Sequence, residues 1–393
     1  MRRAPHVAVL IETSRGYGRG LLEGVARYNR QHGPWSLYFE PHGLDDPPPP
    51  WLIGWQGDGI LVRINNRRVA RAVLATGLPA VDLRGRLAGL GLPFIGVHNQ
   101  EVARLAFRHL ADRGLRHFAF CGLPPGEYRY MDYRRDFFRR EVEAAGFACH
   151  VFAPDPGPRR TAWEEEQRQL VAWLRRLPRP VGVMTCNDDR GHQTLDACRR
   201  AGVAVPEEVA VLGVDNDAIL CNVAEPPLSS IDVNAARIGY QAMALLDRLM
   251  RRRKPPKPPP FLEVVPRGIE TRQSSDVLAV ADAEVAAAVR FIRAHACQGI
   301  GVSDVLRRVP LSRSALERRF KLALRRTPKQ EILRVQLERA RQLLGESDLP
   351  LEEVAASCGF SSCKYFGDAF RREQGVRPGA FRRRLRHFAG EGA

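Results

Sequence analysis

Two hydrophobic patterns follow one another along the 393-residue chain. In the N-terminal part, short continuous apolar runs alternate with stretches whose apolar residues recur every three or four positions. Continuous runs are typical of buried parallel strands, and the wider spacing is typical of amphipathic helices. The runs lie at residues 6–11, 35–40, 59–64, 79–83, 94–97, 118–122, 181–186, 209–214 and 261–266. This alternation predicts a doubly wound α/β fold, and so many strands favour two sheets over one.

In the C-terminal part the pattern is helical throughout, and one arrangement occurs twice. The first copy is VSDVLRRVPLSRSALERRFK at residues 302–321, and the second is LEEVAASCGFSSCKYFGDAFRR at residues 351–372. Each copy begins with a short amphipathic helix, turns at Pro310 or at Gly359-Phe360, and continues as a second amphipathic helix. Two short helices joined in this way form a helix-turn-helix motif, whose second helix can enter the major groove of DNA. We therefore expect an all-α domain with two such motifs.

A long helix is expected between the two copies. Thr327 suits the N-cap, Pro328 suits the first helical position, and Gln330 completes a capping box. Apolar residues then recur on one face, at positions 333, 337, 340 and 344. Such a helix would hold the two motifs at a fixed separation.

The outward positions of the second helix in each motif are the candidate DNA contacts. They are Ser312, Arg313, Ser314, Glu317 and Arg318 in the first motif, and Ser361, Ser362, Lys364, Tyr365 and Asp368 in the second. Arginine can bind O6 and N7 of guanine together, and glutamate can accept a hydrogen bond from cytosine N4. Hydroxyl groups and lysine are better suited to phosphate contacts. The first motif is therefore expected to read bases and the second to position the domain on the DNA backbone.

Positive charge is concentrated in the same C-terminal part. The formal net charge of the chain is +17. Residues 282–393 carry 22 Lys and Arg against 13 Asp and Glu, whereas the other 281 residues carry 39 against 31. A GC-rich genome would also raise the arginine content, so the distribution of charge is the stronger argument. Binding to DNA requires a concentration of positive charge of this kind.

Several classes of protein are disfavoured by what the sequence lacks. The eight cysteines include no CxxC pair, so neither a disulfide framework nor a metal site is expected. No signal peptide and no apolar run of about 18 residues occurs, which predicts a soluble, cytoplasmic protein without membrane contact. The glycines at positions 16, 18 and 20 follow the first strand, but their spacing fits a dinucleotide loop poorly. We expect no cofactor and no catalytic residues. A sugar-modifying or nucleotide-dependent enzyme with an accessory DNA-binding domain is the alternative.

The C-terminal domain resembles the AraC/XylS-type DNA-binding domain. The residues that carry the resemblance are Gly359-Phe360, Tyr365-Phe366, Phe370-Arg371, Gly375, Pro378 and Phe381-Arg382. The first motif departs from that family, because Pro310 and Arg325 stand where a turn glycine is usual. The resemblance implies a sequence-specific DNA-binding transcription regulator.

The N-terminal part resembles the LacI/GalR-type effector domain, a two-lobed, periplasmic-binding-protein-like (type I) fold, over residues 5–275. The resemblance is carried by segments at 13–17, 20–25, 95–99, 133–138, 186–189, 211–217 and 227–231. It implies a small-molecule site between the lobes, at the carboxyl ends of the strands. Carboxylate, amide and guanidinium groups in fixed orientations would bind the hydroxyl groups of a sugar there.

By position, the same resemblance implies candidate sugar ligands on both lobes. They are Arg134, Asn187, Asp188 or Asp189, Asp215 and Asn216 on one lobe, and Ser14, Arg15 and Tyr17 on the other. Asp188 and Asp189 are equal alternatives at this point.

Together the two resemblances imply an effector domain at residues 1–275 and a DNA-binding domain at residues 276–393. The proline-rich run at 251–260 is expected to be a surface loop, and the hinge is expected at 271–281. The implied function is an activator of a sugar-utilisation operon, controlled by a small sugar such as D-xylose or a related aldose. The expected partners are double-stranded operator DNA, RNA polymerase and a second copy in a homodimer. The candidate dimer surfaces are residues 21–28 and 69–74.

Overall fold

The computed structural model describes residues 3–43, 46–152, 154, 163–251, 257–277, 282–324 and 326–386. The chain forms two compact units. Unit 1 consists of Met1–Phe107 and His117–Ser275, and unit 2 consists of Arg108–Arg116 and Asp276–Ala393. Half of the proline-rich run (252–256), the end of the expected hinge (278–281) and Arg325 lie outside the described residues.

Unit 1 is built on two six-stranded sheets, which confirms the predicted fold class. In chain order the strands are β1 His6–Leu10, β2 Ser36–Phe39, β3 Gly59–Val62, β4 Ala80–Asp82, β5 Phe94–Val97, β6 His117–Cys121, β7 Cys149–Phe152, β8 Val181–Thr185, β9 Val209–Val214, β10 Ser229–Asp232, β11 Phe261–Val264 and β12 Gly268–Glu270. One sheet has the order β11-β5-β4-β3-β1-β2 and is parallel throughout. The other has the order β12-β10-β9-β8-β6-β7, in which only β12 is antiparallel. We call the halves built on these sheets the first and the second lobe.

Helices cover the sheets on both faces. The helices up to residue 250 are α1 Gly16–His32, α2 Arg67–Ala75, α3 Asn99–Ala111, α4 Arg129–Ala144, α5 Trp163–Arg176, α6 Asp188–Ala201, α7 Ala218–Val223 and α8 Ala235–Met250. Every residue of β3, β8 and β9 is buried, as expected for parallel strands covered on both sides. Helix α1 packs against α8 and buries Leu21, Val25 and Tyr28. The apolar face at 21–28 is therefore interior, which corrects its assignment as a candidate dimer surface.

Unit 2 has two hydrophobic cores that share one long helix. Its helices are α9 Ala283–His295, α10 Val302–Leu306, α11 Arg313–Leu324, α12 Pro328–Glu346, α13 Leu351–Ser357, α14 Cys363–Gln374 and α15 Pro378–Arg386. The first core joins α9, α10 and α11 to Ile332 of α12, and the second joins α13 and α14 to Leu337 and Leu344 of α12. The two helix-turn-helix motifs thus each pack on a different part of α12. No helix in the described ranges is long and apolar enough to cross a membrane.

The start of α12 confirms the predicted capping box. The backbone N–H of Gln330 donates to Thr327 Oγ1 over 3.2 Å, and the Thr327 N–H donates to Gln330 Oε1 over 2.7 Å. These two bonds pair N–H groups that the first turn of a helix otherwise leaves free.

The middle of α12 connects the two cores. The buried Gln336 amide donates to the backbone carbonyl of Ala296, over 3.0 Å, and to that of Gly359, over 3.1 Å. Ala296 belongs to the first core, and Gly359 lies in the turn of the second motif. Gly359 has φ +76°, and a Cβ atom there would lie 2.7 Å from the backbone nitrogen of Gly299. The turn therefore packs directly on the segment that follows α9.

Candidate functional site

A cavity of about 240 Å³ lies in unit 1, and both lobes contribute to its lining. Most of the lining follows the carboxyl ends of β3, β4, β6, β8 and β9, which is where open α/β sheets bind small ligands. The lining residues are Arg15, Tyr17, Arg63, Leu83, Arg84, Phe94, Gly96, Val97, Asn99, Leu123, Glu127, Tyr128, Tyr130, Met131, Arg134, Asn187 and Asp215. Aromatic rings and charged groups thus both line a space suited to a small polar molecule.

The nine candidate ligands named from the sequence divide into two groups. Arg15, Tyr17, Arg134, Asn187 and Asp215 line the cavity. The candidates that are not among the lining residues are Ser14, Asp188, Asp189 and Asn216.

Arg134 is the most firmly held charged group of the cavity. Its side chain is 2 % exposed. Nε donates to Asn99 Oδ1 over 2.9 Å, Nη1 donates to the carbonyl of Cys186 over 2.6 Å, and Nη2 lies 3.5 Å from Asp215 Oδ1. These contacts fix the guanidinium plane before any ligand arrives, so little side-chain entropy is lost on binding.

Asp215 follows β9 directly and has an unusual backbone conformation. Its φ is 109°, in a region that costs a non-glycine residue on the order of 1–3 kcal/mol. Burial raises the pKa of the Asp215 carboxyl, and the guanidinium groups of Arg134 and Arg63 oppose that shift. The pKa of the buried Tyr17 hydroxyl is raised by burial and then by the charge of Asp215. Asp215 and Tyr17 thus both line the cavity, and the charge of Asp215 acts on the Tyr17 hydroxyl.

Asp188 is buried and is not among the lining residues of the cavity. It accepts hydrogen bonds from the Ser230 hydroxyl, over 2.5 Å, and from the backbone N–H of Asp217, over 2.7 Å. Burial, followed by the charge of Asp215, raises the pKa of Asp188 to about 8. This carboxyl thus connects β10 to the start of α7.

Asp189 points in a different direction and links the two lobes. Its carboxylate pairs with Arg15 of the first lobe and accepts a hydrogen bond from Asn187 Nδ2 over 3.0 Å. A second link is formed by Asp217, which accepts from the Gly16 N–H over 2.8 Å and lies 3.2 Å from Arg19 Nη2. Both lobes are therefore held together next to the cavity by charged hydrogen bonds.

Arg63 and Arg84 were not named from the sequence, although each follows a strand end of the first lobe. Arg63 pairs with Glu12 and stacks on Tyr17, with 4.8 Å from the guanidinium carbon to the ring centroid. Burial, and then the nearby charge of Arg84, lowers the pKa of Arg63 to about 10. The rule that ligands bind outside the carboxyl ends of parallel strands would have pointed to both positions.

The ten candidate DNA contacts lie on the two second helices, α11 and α14, or in the turns before them. Most of them are exposed, with Glu317 half-buried. Two serines have a structural role, because the Ser312 hydroxyl accepts from the Ala315 N–H and the Ser362 hydroxyl accepts from the Tyr365 N–H. Each of these hydroxyls therefore caps the start of its helix.

The charged groups of α11 differ in whether they have an ion-pair partner. Arg313 forms an ion pair with Glu317 over 3.2 Å, one turn away. Arg318 is exposed and makes no ion pair or hydrogen bond within the described part of the chain. Arg318 is thus the guanidinium of α11 that is free to bind another molecule.

Metal ligands do not cluster in the described ranges, where no three His, Cys, Asp or Glu side chains could hold an ion together. All eight cysteines are free thiols, and four of them have a pKa raised to about 12, in each case chiefly by burial.

Two family profiles match separate parts of the chain. The Periplasmic binding protein-like domain matches residues 107–275, and the Helix-turn-helix domain matches residues 305–384. The matched regions contain the second lobe, the second helix-turn-helix motif and the first motif from residue 305 onward.

Known proteins match almost the whole chain. The Xylose operon regulatory protein of Escherichia coli (strain K12) is 31% identical over 386 residues, which covers 96% of each chain. The protein of the same name from Haemophilus influenzae is 29% identical over 382 residues, covering 96% of this chain and 97% of the relative. A solved structure of the xylose-binding transcription activator xylR superposes with a TM-score of 0.62 at 30% identity and covers 97% of this chain and 98% of that one.

Proposed function

Because this chain belongs to the family of the xylose operon regulatory proteins, we propose that a small sugar in the cavity of unit 1 controls its binding to operator DNA. The chain is an AraC-type transcription regulator with a periplasmic-binding-protein-like sugar-binding domain and a helix-turn-helix DNA-binding domain. Its relatives are regulators and not enzymes.

The observation that carries the proposal is the pair formed by Arg134 and Asp215 in the cavity wall. Arg134 is fixed by Asn99 and the Cys186 carbonyl, and Asp215 is held by the backbone of β10 through the Ile231 carbonyl. A preorganised donor and acceptor side by side suit adjacent hydroxyl groups of one sugar ring. Tyr17 and Asn187 would add contacts from either side.

The lobe-bridging contacts suggest how a sugar would act. Ser14, Asp189 and Asn216 adjoin lining residues, so they would respond to a ligand without being its main contacts. A sugar that contacts both lobes would favour the closed arrangement of the lobes, because it would bind that arrangement more tightly than an open one. The control of DNA binding would follow from this shift in population.

The DNA-binding part of the proposal rests on the exposed faces of α11 and α14. Arg313, Glu317 and Arg318 would read base edges in the first motif, while Lys364 and Tyr365 would contact the DNA backbone in the second. Ser314, Ser361 and Asp368 lie on the same faces and would add contacts. Helix α12, with 19 residues, is about 28 Å long at 1.5 Å per residue, close to one turn of DNA.

We further propose domain limits, an oligomeric state and a partner in transcription. We place the effector domain at residues 1–275 and the DNA-binding domain at 276–393. Direct repeats of the operator would require a homodimer. Val69 and Val73 of helix α2 are buried like the apolar face at 21–28, so the exposed Leu74 is what remains of the candidate dimer surfaces. Activation would require contact with RNA polymerase, in the cytoplasm.

Two measurements on the full chain test the proposal. Footprinting on the DNA upstream of neighbouring sugar-utilisation genes should show protection of two adjacent major-groove segments, and one sugar should change that protection. The names of the relatives make D-xylose the first sugar to test. At a hundred times its Kd, the correct sugar should stabilise unit 1 by roughly 2.7 kcal/mol. A specific footprint that no sugar changes, together with no thermal shift, would contradict control by a sugar.

A further inference from the structure

We propose that the ligand of the cavity carries an anionic group, a carboxylate or a phosphate, which the guanidinium of Arg84 binds. This inference rests on the proposed function and narrows the chemistry of the effector. It distinguishes the ligand from a neutral sugar of the same ring.

Arg84 is a buried charge that has no counter-ion among the residues that the structure describes. The residue is 4 % exposed and lines the cavity. Neither Nε nor Nη1 has a hydrogen-bond acceptor within the described residues, and no carboxylate there forms an ion pair with it. Its guanidinium carbon lies 5.2 Å from the centroid of the Tyr128 ring. A stack on a ring uses the face of the guanidinium and leaves the N–H edge free for an anion.

Asp82, two residues before Arg84 in the chain, is engaged by the local backbone. Asp82 ends β4, and its Oδ1 accepts from the N–H groups of Ile64 and of Arg84 itself, while Oδ2 accepts from the Gly85 N–H. The carboxylate of Asp82 is therefore used to shape the loop after the strand. The side chain of Arg84 leaves that loop towards the cavity.

The other three arginines of the lining already have carboxylate partners. The pairs are Arg15 with Asp189, Arg63 with Glu12, and Arg134 with Asp215. Glu127 also lines the cavity, but it is exposed to solvent. The positive charge of Arg84 is thus not neutralised by a carboxylate of the lining, and after burial it is the next cause that lowers the pKa of Arg63. A buried charge is costly until it is paired, so an anion at this point gains affinity that a hydroxyl group does not.

The size of the cavity limits the ligand. A volume of about 240 Å³ is below the range of roughly 300–1,000 Å³ for drug-sized ligands, which suits a single sugar ring with one acidic substituent. Two types of ligand share this chemistry, namely sugar acids and sugar phosphates. Arginine binds either anion through two parallel N–H groups.

The test uses sugars that share one ring and differ at one carbon. Calorimetry on the full chain compares D-xylose, D-glucose, D-glucuronate and D-glucose 6-phosphate, and repeats the comparison with D-galactose, D-galacturonate and D-galactose 6-phosphate. We expect one acid or one phosphate to bind about tenfold tighter than its neutral sugar, or more, as a charged hydrogen bond allows. The uronates and the phosphates separate the two types of anion.

Variants assign the preference to Arg84. Arg84→Met should weaken the anionic ligand about tenfold or more and change the neutral sugar less than about threefold. Arg86→Met is the matched control, because Arg86 stacks on the same Tyr128 ring, at 4.7 Å, without lining the cavity. Arg84→Lys keeps the charge and should keep the preference for the anion, even if Arg84→Met does not fold.

The outcomes separate this inference from the proposed function. If neutral sugars bind as tightly as their acids and phosphates, the inference that the ligand is anionic is wrong, and control by a sugar is unaffected. A preference for the anion that survives in Arg84→Met overturns the role of Arg84. Binding of no sugar of either kind, with specific operator binding preserved, overturns both.

Discussion

The turn of the second motif offers a sharp test of how unit 2 is packed. Replacing Gly359 by alanine adds a Cβ atom at a position with φ +76°. That atom would lie 2.7 Å from the nitrogen of Gly299 and 2.8 Å from the carbonyl carbon and oxygen of Cys297. All three are backbone atoms, so no side chain can rotate away to make room. The Gln336 hydrogen bond to the Gly359 carbonyl would be disturbed as well.

The cost has two parts. A left-handed backbone conformation costs an alanine about 1–2 kcal/mol relative to glycine. Overpacking of a well-filled interior adds about 1–3 kcal/mol. We therefore expect Gly359→Ala to lower the free energy of unfolding of unit 2 by about 2–5 kcal/mol. That is a large fraction of the roughly 5–15 kcal/mol available to a typical domain.

Gly375 provides the matched control. It ends α14 with φ +73°, almost the same angle as Gly359, but a Cβ atom there would have no atom within 4 Å. Gly375→Ala should therefore cost only the conformational part, about 1–2 kcal/mol. The difference between the two variants measures the close approach of the turn to the segment after α9.

The sequence itself supplies the assay. All five tryptophans lie in unit 1, at positions 35, 51, 55, 163 and 173, so their fluorescence follows that unit alone. Far-ultraviolet circular dichroism of the full chain during urea unfolding follows the helices of unit 2 as well. Gly359→Ala should shift the dichroism transition and leave the fluorescence transition in place. Equal losses in Gly359→Ala and Gly375→Ala would refute the proposed packing of the turn.

Three further predictions concern the two binding sites and the stability of unit 1. Asp215→Ala should abolish the stabilisation by the sugar that changes the footprint, while the operator affinity without sugar stays within about threefold. An unchanged calorimetric affinity for that sugar would contradict the site. Arg318→Ala should cost roughly 1–3 kcal/mol of DNA-binding free energy and relax the preference for particular bases. Lys364→Ala should weaken binding to all sequences alike and lower the salt dependence of the affinity by about one ion. A randomised operator library measured at two salt concentrations checks both. Asp188 has a raised pKa, of about 8, so the folded state binds its proton more tightly than the unfolded state, and stability should fall as pH rises from about 4 to about 8. Asp188→Asn should flatten this fall in thermal melts followed by tryptophan fluorescence, and an identical pH dependence would show that another group is responsible.

The fold was readable from the sequence because it depends on local patterns. The apolar runs match nine of the described strands, and the paired motifs and the cap of α12 are formed as expected. Strands β7, β10 and β12 were not identified as strands. Strand β12 has three residues, and β7 is buried at only one position, so neither forms a long apolar run.

The site was harder to predict, since it depends on which way neighbouring side chains point. Asp188 and Asp189 are adjacent at the start of α6, where successive side chains differ by about 100° around the axis. One is buried beside Ser230 and the other pairs with Arg15, and a single sequence contains no signal for either partner. Arg63 lies in the apolar run 59–64, which predicts a strand over its whole length, whereas β3 ends at Val62. The caps at Ser312 and Ser362, by contrast, follow a rule that sequence alone could have applied.

Because α12 contributes to both cores, its length limits how this domain can evolve. Loops accept insertions at small cost, but α12 is continuous, and each added residue would turn the second motif by about 100° and move it by about 1.5 Å. A single-residue insertion in α12 would rotate the second motif so that it no longer faces the DNA when the first motif is bound. If the two motifs bind adjacent operator half-sites as proposed, the length of α12 sets the spacing of those half-sites. Regulators that diverge in their target sequences would then vary the faces of α11 and α14 while α12 keeps its 19 residues.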